Sequence, residues 1–168
     1  MKLIIGLGNP EEKYKNNRHN VGHMFVDFVK QGIKTDVFMN ESGKFVAQKV
    51  NFYKVKPEDL YIVHDDLDIP LGQWKIQLGV GPKVHNGINS IEETLGTKVF
   101  WRVRIGVDNR DPNKNPSLRS GTLRSSALPA GLNRESGDSY VLKDFSKEEL
   151  EKLDKVFDEI TRRDPFQN

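Results

Sequence analysis

The feature that most constrains this fold is the alternation of short apolar runs with longer stretches of helical periodicity. Lys2 to Leu7 is an apolar run of strand length, cut off by Gly6-Leu7-Gly8-Asn9-Pro10, where glycines and an Asn-Pro pair favour a turn. Val21, Phe25, Phe28 and Val29 then recur at i, i+4, i+7 and i+8, with Met24 alongside, which predicts an amphipathic helix ending before Gly32. A second helix is expected from about Glu41 to Lys54, with Val46, Val50 and Tyr53 on one face and Lys56-Pro57-Glu58 as its stop. Leu60 to Val63 reads as the next strand, giving way to His64-Asp65-Asp66-Leu67-Asp68 at its carboxyl end, where open α/β sheets place their sites. Gln73 to Leu78 and Trp101 to Val107 alternate as half-buried strands, with Arg102 and Arg104 opposite Val103, Ile105 and Val107. Between them lie a glycine-containing loop, Gly79 to Gly87, and a short helix, Asn89 to Leu95, ending at Gly96. Ser146-Lys147-Glu148-Glu149 is a capping box, and Leu150, Leu153, Phe157 and Ile160 follow at helical spacing. Elements in this order predict an α/β sandwich.

At 168 residues the chain has the size of one domain, and 1–168 is expected to form one. With no cysteine, a disulfide framework, a thiolate zinc site and a cysteine nucleophile are excluded, and a reducing, cytoplasmic location is the simplest expectation. The apolar run from Met1 to Ile5 is far shorter than a signal-peptide core or a membrane span, so neither export nor anchoring is expected. The formal charge of +2 is unevenly distributed: residues 1–96 are neutral, 97–134 carry +6 and 135–168 carry −4. A basic central segment of this kind attracts a polyanion, although it also serves as a solvating device. Asp108 to Ser139 is rich in Asn, Pro, Ser, Gly and Arg and lacks periodicity, so a long, basic, mobile flap is expected at about 108–139.

Polar groups stand at the ends of the apolar elements, where loops converge: Asn9, Arg18-His19-Asn20, Asn40, His64-Asp65 and His85-Asn86. Singly, such asparagines are ordinary turn and cap residues. His19 immediately precedes a helix whose amino-terminal partial charge disfavours imidazolium and favours a neutral ring able to accept a proton. That position suits a structural cap equally well, and spacing leaves both readings open. An aspartate such as Asp65, accepting from the other ring nitrogen, would fix the tautomer and stabilise the ring once protonated. His64, Asp65, Asp66 and Asp68 could instead hold a divalent cation, but no second ligand cluster of recognisable spacing accompanies them. A dinucleotide fingerprint fails because Glu11 stands where the third glycine belongs, and no Gly-x-Ser-x-Gly elbow exists.

Taken in order, Gly6-Leu7-Gly8-Asn9-Pro10 through Tyr14 to Arg18-His19-Asn20-Val21-Gly22, then Phe38-Met39-Asn40-Glu41-Ser42-Gly43, His64-Asp65-Asp66-Leu67-Asp68, His85-Asn86-Gly87 and Arg102-Val103-Arg104-Ile105-Gly106, resemble the bacterial peptidyl-tRNA hydrolase family. The resemblance implies a monomeric three-layer α/β/α sandwich around a mixed, mostly parallel sheet. It implies hydrolysis of the ester joining peptide to tRNA, without metal or cofactor. Carried over by position, His19 matches the catalytic base and Asp65 its supporting carboxylate, while Asn9, Tyr14, Phe38, Met39, Asn40 and Asn86 match substrate-binding positions. Arg104 matches one member of a basic pair for a tRNA phosphate; the other position is Gln77, and Lys75, two residues away on that strand face, is expected to substitute.

The chain departs from the family pattern in three places. Gly32 to Val37 joins the first helix directly to the Phe-Met-Asn block, so one or two strands are expected to be missing. Lys34-Thr35-Asp36-Val37 replaces the residues usual before Phe38, and Pro82 restricts the loop before His85. Three functions therefore compete: an esterase on peptidyl-tRNA, an RNA-binding homologue that has lost turnover, and a metal-dependent phosphoesterase built on the acidic cluster.

Overall fold

A computed structural model of the chain describes residues 1–111, 136–163 and 165–166. Its sheet comprises β1 (Leu3–Gly6), β2 (Ile33–Lys34), β3 (Leu60–Pro70), β4 (Trp74–Leu78) and β5 (Trp101–Asp108), in the order β2-β1-β3-β5-β4. All neighbours are parallel except β4, which runs antiparallel to β5. The helices are α1 (Val21–Val29), α2 (Ser42–Tyr53), α3 (Asn86–Leu95), α4 (Gly137–Val141) and α5 (Lys147–Arg163).

Strand alternation sorts the apolar residues onto two faces and so makes three layers. Ile4, Tyr61, Val63, Val103, Ile105 and Val107 pack with α1 and α5 through Phe25, Leu153, Phe157 and Ile160. Leu3, Ile5, Leu60 and Ile62 face α2 and α3 through Phe45, Val46, Ile88 and Ile91. The expected α/β/α sandwich with a mixed, mostly parallel sheet is therefore what forms.

Three expectations need correction. β3 does not stop at Val63: it continues through the acidic cluster to Pro70, with a shift of register between Asp66 and Pro70, because β5 keeps supplying a ladder partner beyond the apolar run. Gly32 to Val37 is not a bare connection, since Ile33 and Lys34 pair with Ile5 and Gly6 as β2 at the sheet edge. The third helix begins at Asn86, three residues early, because His85 caps it. Of the expected flap at 108–139, Asp108 ends β5 and 137–139 open α4, while 112–135 lie outside the described residues.

β1 turns toward β2 on one side and β3 toward β5 on the other, so the crevice beyond their carboxyl ends is the switch point of the sheet. The amino end of α1 is pressed into it. A Cβ on Gly22 would lie 2.3 Å from the Val63 carbonyl oxygen and 2.5 Å from the Leu7 nitrogen, so only glycine permits this approach. The residue pair before that helix, Arg18-His19, is thereby delivered to the end of β3.

Candidate active site

The turn after β1 is fixed by side chains reaching back to backbone. Asn20 accepts from the Asn9 N–H and donates to the Asn9 carbonyl, both at 2.9 Å. The Thr35 hydroxyl donates to the Gly8 carbonyl at 2.9 Å and accepts from the Gly8 N–H at 3.2 Å. Asn9 Oδ1 then accepts the Met39 N–H at 2.9 Å, which leaves its Nδ2 without a partner among the described residues.

Arg18 ties the same turn to the carboxyl-terminal helix. It is 6% exposed, donates from Nη2 to both Glu149 carboxylate oxygens at 2.9 and 2.8 Å, and donates from Nη1 to the Lys143 and Asp144 carbonyls. Glu149 also closes the capping box, accepting from Ser146 N at 2.9 Å while its own N–H donates to Ser146 Oγ at 3.2 Å. One carboxylate thus holds the start of α5 and the residue before His19. Its pKa is lowered: burial opposes the charge, but the Ser146 N–H and the Arg18 guanidinium outweigh it.

At the centre is Asp65, 2% exposed, between two histidines. His19 Nδ1 lies 2.8 Å from Asp65 Oδ1 and 3.0 Å from Oδ2, and His85 Nε2 lies 2.8 Å from Oδ1. The His85 Nδ1 accepts the N–H groups of Gly87 and Ile88, so the proton of that ring is on Nε2 and is donated to Asp65. The N-cap of α3 is therefore also a support for the carboxylate. Burial alone would raise the Asp65 pKa, yet the two imidazoles bring it well below the ordinary value of 3.8.

His19 Nε2 has no hydrogen-bond partner among the described residues. The ring faces a cavity of about 100 Å³ with Asp65, Val84 and His85, and a groove of about 420 Å³ walled by Asn9, Phe38, Met39, Asn40 and Asn86. Asn40 and Asn86 are exposed and, like Asn9 Nδ2, their amides have no hydrogen-bond partner among the described residues. The His19 pKa is raised above 6.5, against the expectation from the helix end. Burial is the largest influence and lowers it, but the charge and hydrogen bond of Asp65, with the charge of Asp138, prevail. A ring so held can take a proton at Nε2 and be stabilised in its charged form.

The structure thus brings His19, Asp65, Asn9, Phe38, Met39, Asn40 and Asn86 together. It does not bring Tyr14 to the groove: that ring is half-buried in a short turn, under the Lys13 ammonium, and walls neither cavity. Arg104 also walls neither cavity. It is 7% exposed, its Nε donates to Asp66 Oδ2 at 2.6 Å and its Nη1 to Gln77 Oε1 at 2.6 Å, so those donors are spent inside the protein because Asp66 faces it from the adjacent strand. Lys75, whose register partner is Arg104, is exposed.

The acidic cluster divides in the same way. Asp66 goes to Arg104 and the Asp68 N–H, and His64 is fully buried, its pKa pushed down to about 3 by burial and by His85. Among the described residues, His19, Asp65 and His85 are the set able to converge on a cation. Their facing atoms are already joined in donor–acceptor pairs.

Sequence reading missed Thr35, Arg18 and Glu149 as holders of the site, and it had no role for His85 or Asp138. Only Glu149 carried a local signal, as the last residue of a capping box.

The comparisons give the family. The family model for peptidyl-tRNA hydrolase matches residues 3–37 and 32–163, meeting at the shortened connection. A peptidyl-tRNA hydrolase of Lactobacillus johnsonii is 40% identical over 149 residues, 73% of this chain and 79% of that protein. One from Sulfurihydrogenibium is 36% identical over an alignment of 181 residues, covering 93% of this chain and 85% of that protein. That alignment is longer than the 168-residue chain, so the relative carries residues with no counterpart here. The crystal structure of peptidyl-tRNA hydrolase from Acinetobacter baumannii superposes with a TM-score of 0.71 at 25% identity, covering 94% of this chain and 83% of the other. Fold, sequence and matched residues converge, and the chain belongs to the peptidyl-tRNA hydrolase family.

Proposed function

We propose that His19 is the general base with which this chain hydrolyses the ester between peptide and tRNA in peptidyl-tRNA, with Asp65 as the group that holds and charges it. The observation that carries this reading is the buried His19 Nδ1 to Asp65 contact with Nε2 turned, unpartnered, to a groove edged by free amides. Water gives its proton to Nε2 as its oxygen attacks the ester carbonyl. The oxyanion of the tetrahedral intermediate is met by an amide N–H, for which Asn40 is our choice. The carbon–oxygen bond to the ribose then breaks, and the imidazolium returns its proton to the ribose oxygen. The products are a peptide carboxylic acid and a tRNA hydroxyl. His85 donates to Asp65 throughout and keeps the carboxylate aimed at Nδ1.

Asn9 and Asn86 present the acyl group along the groove, Phe38 and Met39 supply its apolar wall, and Tyr14 serves from outside it, through approach of the bound acceptor end. Arg104 and, beside it on β4, the exposed Lys75 are assigned to a tRNA phosphate, and the basic 108–139 segment to the RNA backbone. The chain is proposed to act as one domain, as a monomer and in the cytoplasm. The groups assigned above all come from one chain, it has no cysteine, and among the described residues no helix is long and apolar enough to cross a membrane.

Turnover of an N-acetylated aminoacyl-tRNA by wild type and His19→Ala tests the reading. The variant is expected to lose about 10²- to 10⁴-fold in kcat, the worth of a positioned base. Equal rates, or a negligible wild-type rate, would return the chain to the class of RNA-binding homologues, which nothing in the comparisons supports. Wild-type turnover is expected to persist in chelator; its loss would revive the phosphoesterase reading.

A further inference from the structure

The reaction above leaves one acidic group of the groove unused. Asp138 walls both the small cavity and the groove that His19 faces. It is exposed, and among the described residues its carboxylate has no hydrogen bond and no ion pair. The other carboxylate of these walls, Asp65, is buried and satisfied by two imidazoles. Apart from His19, the remaining wall residues of the groove are amides or apolar side chains such as Phe38, Met39, Val141 and Leu142.

Asp138 is also firmly placed. It sits on α4, which Ser136 caps by accepting the Ser139 N–H at 3.2 Å. The next residue but one, Tyr140, is 5% exposed, accepts the Asn109 N–H at 3.0 Å, donates to the Val107 carbonyl at 3.3 Å and lies under the Arg18 guanidinium. An exposed, unpaired carboxylate held this way repels RNA phosphate, so the side of the groove it occupies belongs to the acyl group rather than to the nucleic acid.

We infer that Asp138 is a specificity-determining residue that favours acyl groups carrying a positive charge near the ester, such as a basic side chain on the terminal residue. The inference rests on the esterase reading and names a preference within the same site. An exposed ion pair of this kind is worth a factor of about two to five in kcat/KM at low salt, and less as salt rises.

The test uses one tRNA charged with lysine, acetylated either on the α-amine alone or on both amines, so that the substrates differ in the side-chain charge and one neutral acetyl group, and the Asp138 variants separate the two. Wild type is expected to turn over the singly acetylated substrate faster in kcat/KM, Asp138→Asn to bring the ratio near one, and Asp138→Lys to invert it. Equal rates in wild type, or an unchanged ratio in either variant, would overturn the inference. A shift of the pH profile in Asp138→Asn with the ratio unchanged would overturn it too, since Asp138 would then act only on His19. Turnover of the doubly acetylated substrate by wild type, and its loss in His19→Ala, reports separately on the esterase reading.

Discussion

Asp65 and Asp66 are neighbours on one strand, both buried, and they meet opposite fates. Asp65 receives two imidazoles, His19 from the residues before α1 and His85 from the amino end of α3. Asp66 turns the other way and meets Arg104 of β5, which also holds Gln77 of β4. The pKa of Asp65 falls well below the usual range despite complete burial, through His19 and His85. That of Asp66 is raised, because burial and the charge of Asp68 outweigh Arg104 and the Asp68 N–H. The partners differ in kind. An imidazole can gain and lose a proton within the working pH range, so the Asp65 pairing can drive chemistry; a guanidinium cannot, so the Asp66 pairing joins strands.

The sharpest way to break this comparison is to neutralise each carboxylate. Asp65→Asn cannot stabilise a charged His19 and can present an N–H toward Nδ1, so kcat on a blocked aminoacyl-tRNA is expected to fall about 10²- to 10⁴-fold. Asp66→Asn is expected to stay within a few-fold of wild type. Equal losses would mean that the two sites are one network.

The next effect concerns stability. Arg104→Met leaves Asp66 buried without its cation, and Arg18→Met does the same to Glu149; each is expected to cost about 3–5 kcal/mol in urea unfolding. Both losses should add in the double variant, since the pairs share no partner. A cost below about 1 kcal/mol for either would place that pair among surface salt bridges. Smaller still is His85→Ala, which removes the cap of α3 at about 1 kcal/mol and takes from Asp65 Oδ1 one of its two imidazole partners while His19 remains, so its activity should fall by less than that of Asp65→Asn.

These pairs also mark where sequence stopped being readable. The layers were legible because Leu3, Ile4 and Ile5, or Leu60 to Val63, alternate within a few residues, and α5 was legible because Ser146 and Glu149 are a local pair. β3 was read short because polarity was taken to end a strand; the ladder to β5 continues while its polar side chains find partners across the sheet. β2 has two residues and no periodicity to show. For the site, His19 and Asp65 were legible as candidates, but their contact spans 46 residues and that of Arg18 with Glu149 spans 131. Arg18 and Arg104 look like surface residues in any local window. Only the folded chain shows what buries them.

The smallest effect separates activity from stability at His19. Burial lowers the pKa of this ring, but the charge and hydrogen bond of Asp65 and the charge of Asp138 outweigh burial and raise it above 6.5. Below that raised value the ring is protonated and cannot act as base, so kcat/KM should climb as pH rises through a midpoint above 6.5, and Asp138→Asn should move the midpoint down. The sign for folding is the reverse. A raised folded-state pKa contributes stability that is fully present below the unfolded value, about 6.5, and is lost as pH rises through the folded one. The enzyme should therefore become active over the range in which His19 stops stabilising it. Urea midpoints of wild type and His19→Gln, followed from about pH 5.5 to 8.5 around that unfolded value, test this. The two curves should diverge most on the acid side and converge on the alkaline side; a constant offset would mean that the His19 ring is held by Asp65 through its shape and hydrogen bond alone, and that the charge matters only in the transition state.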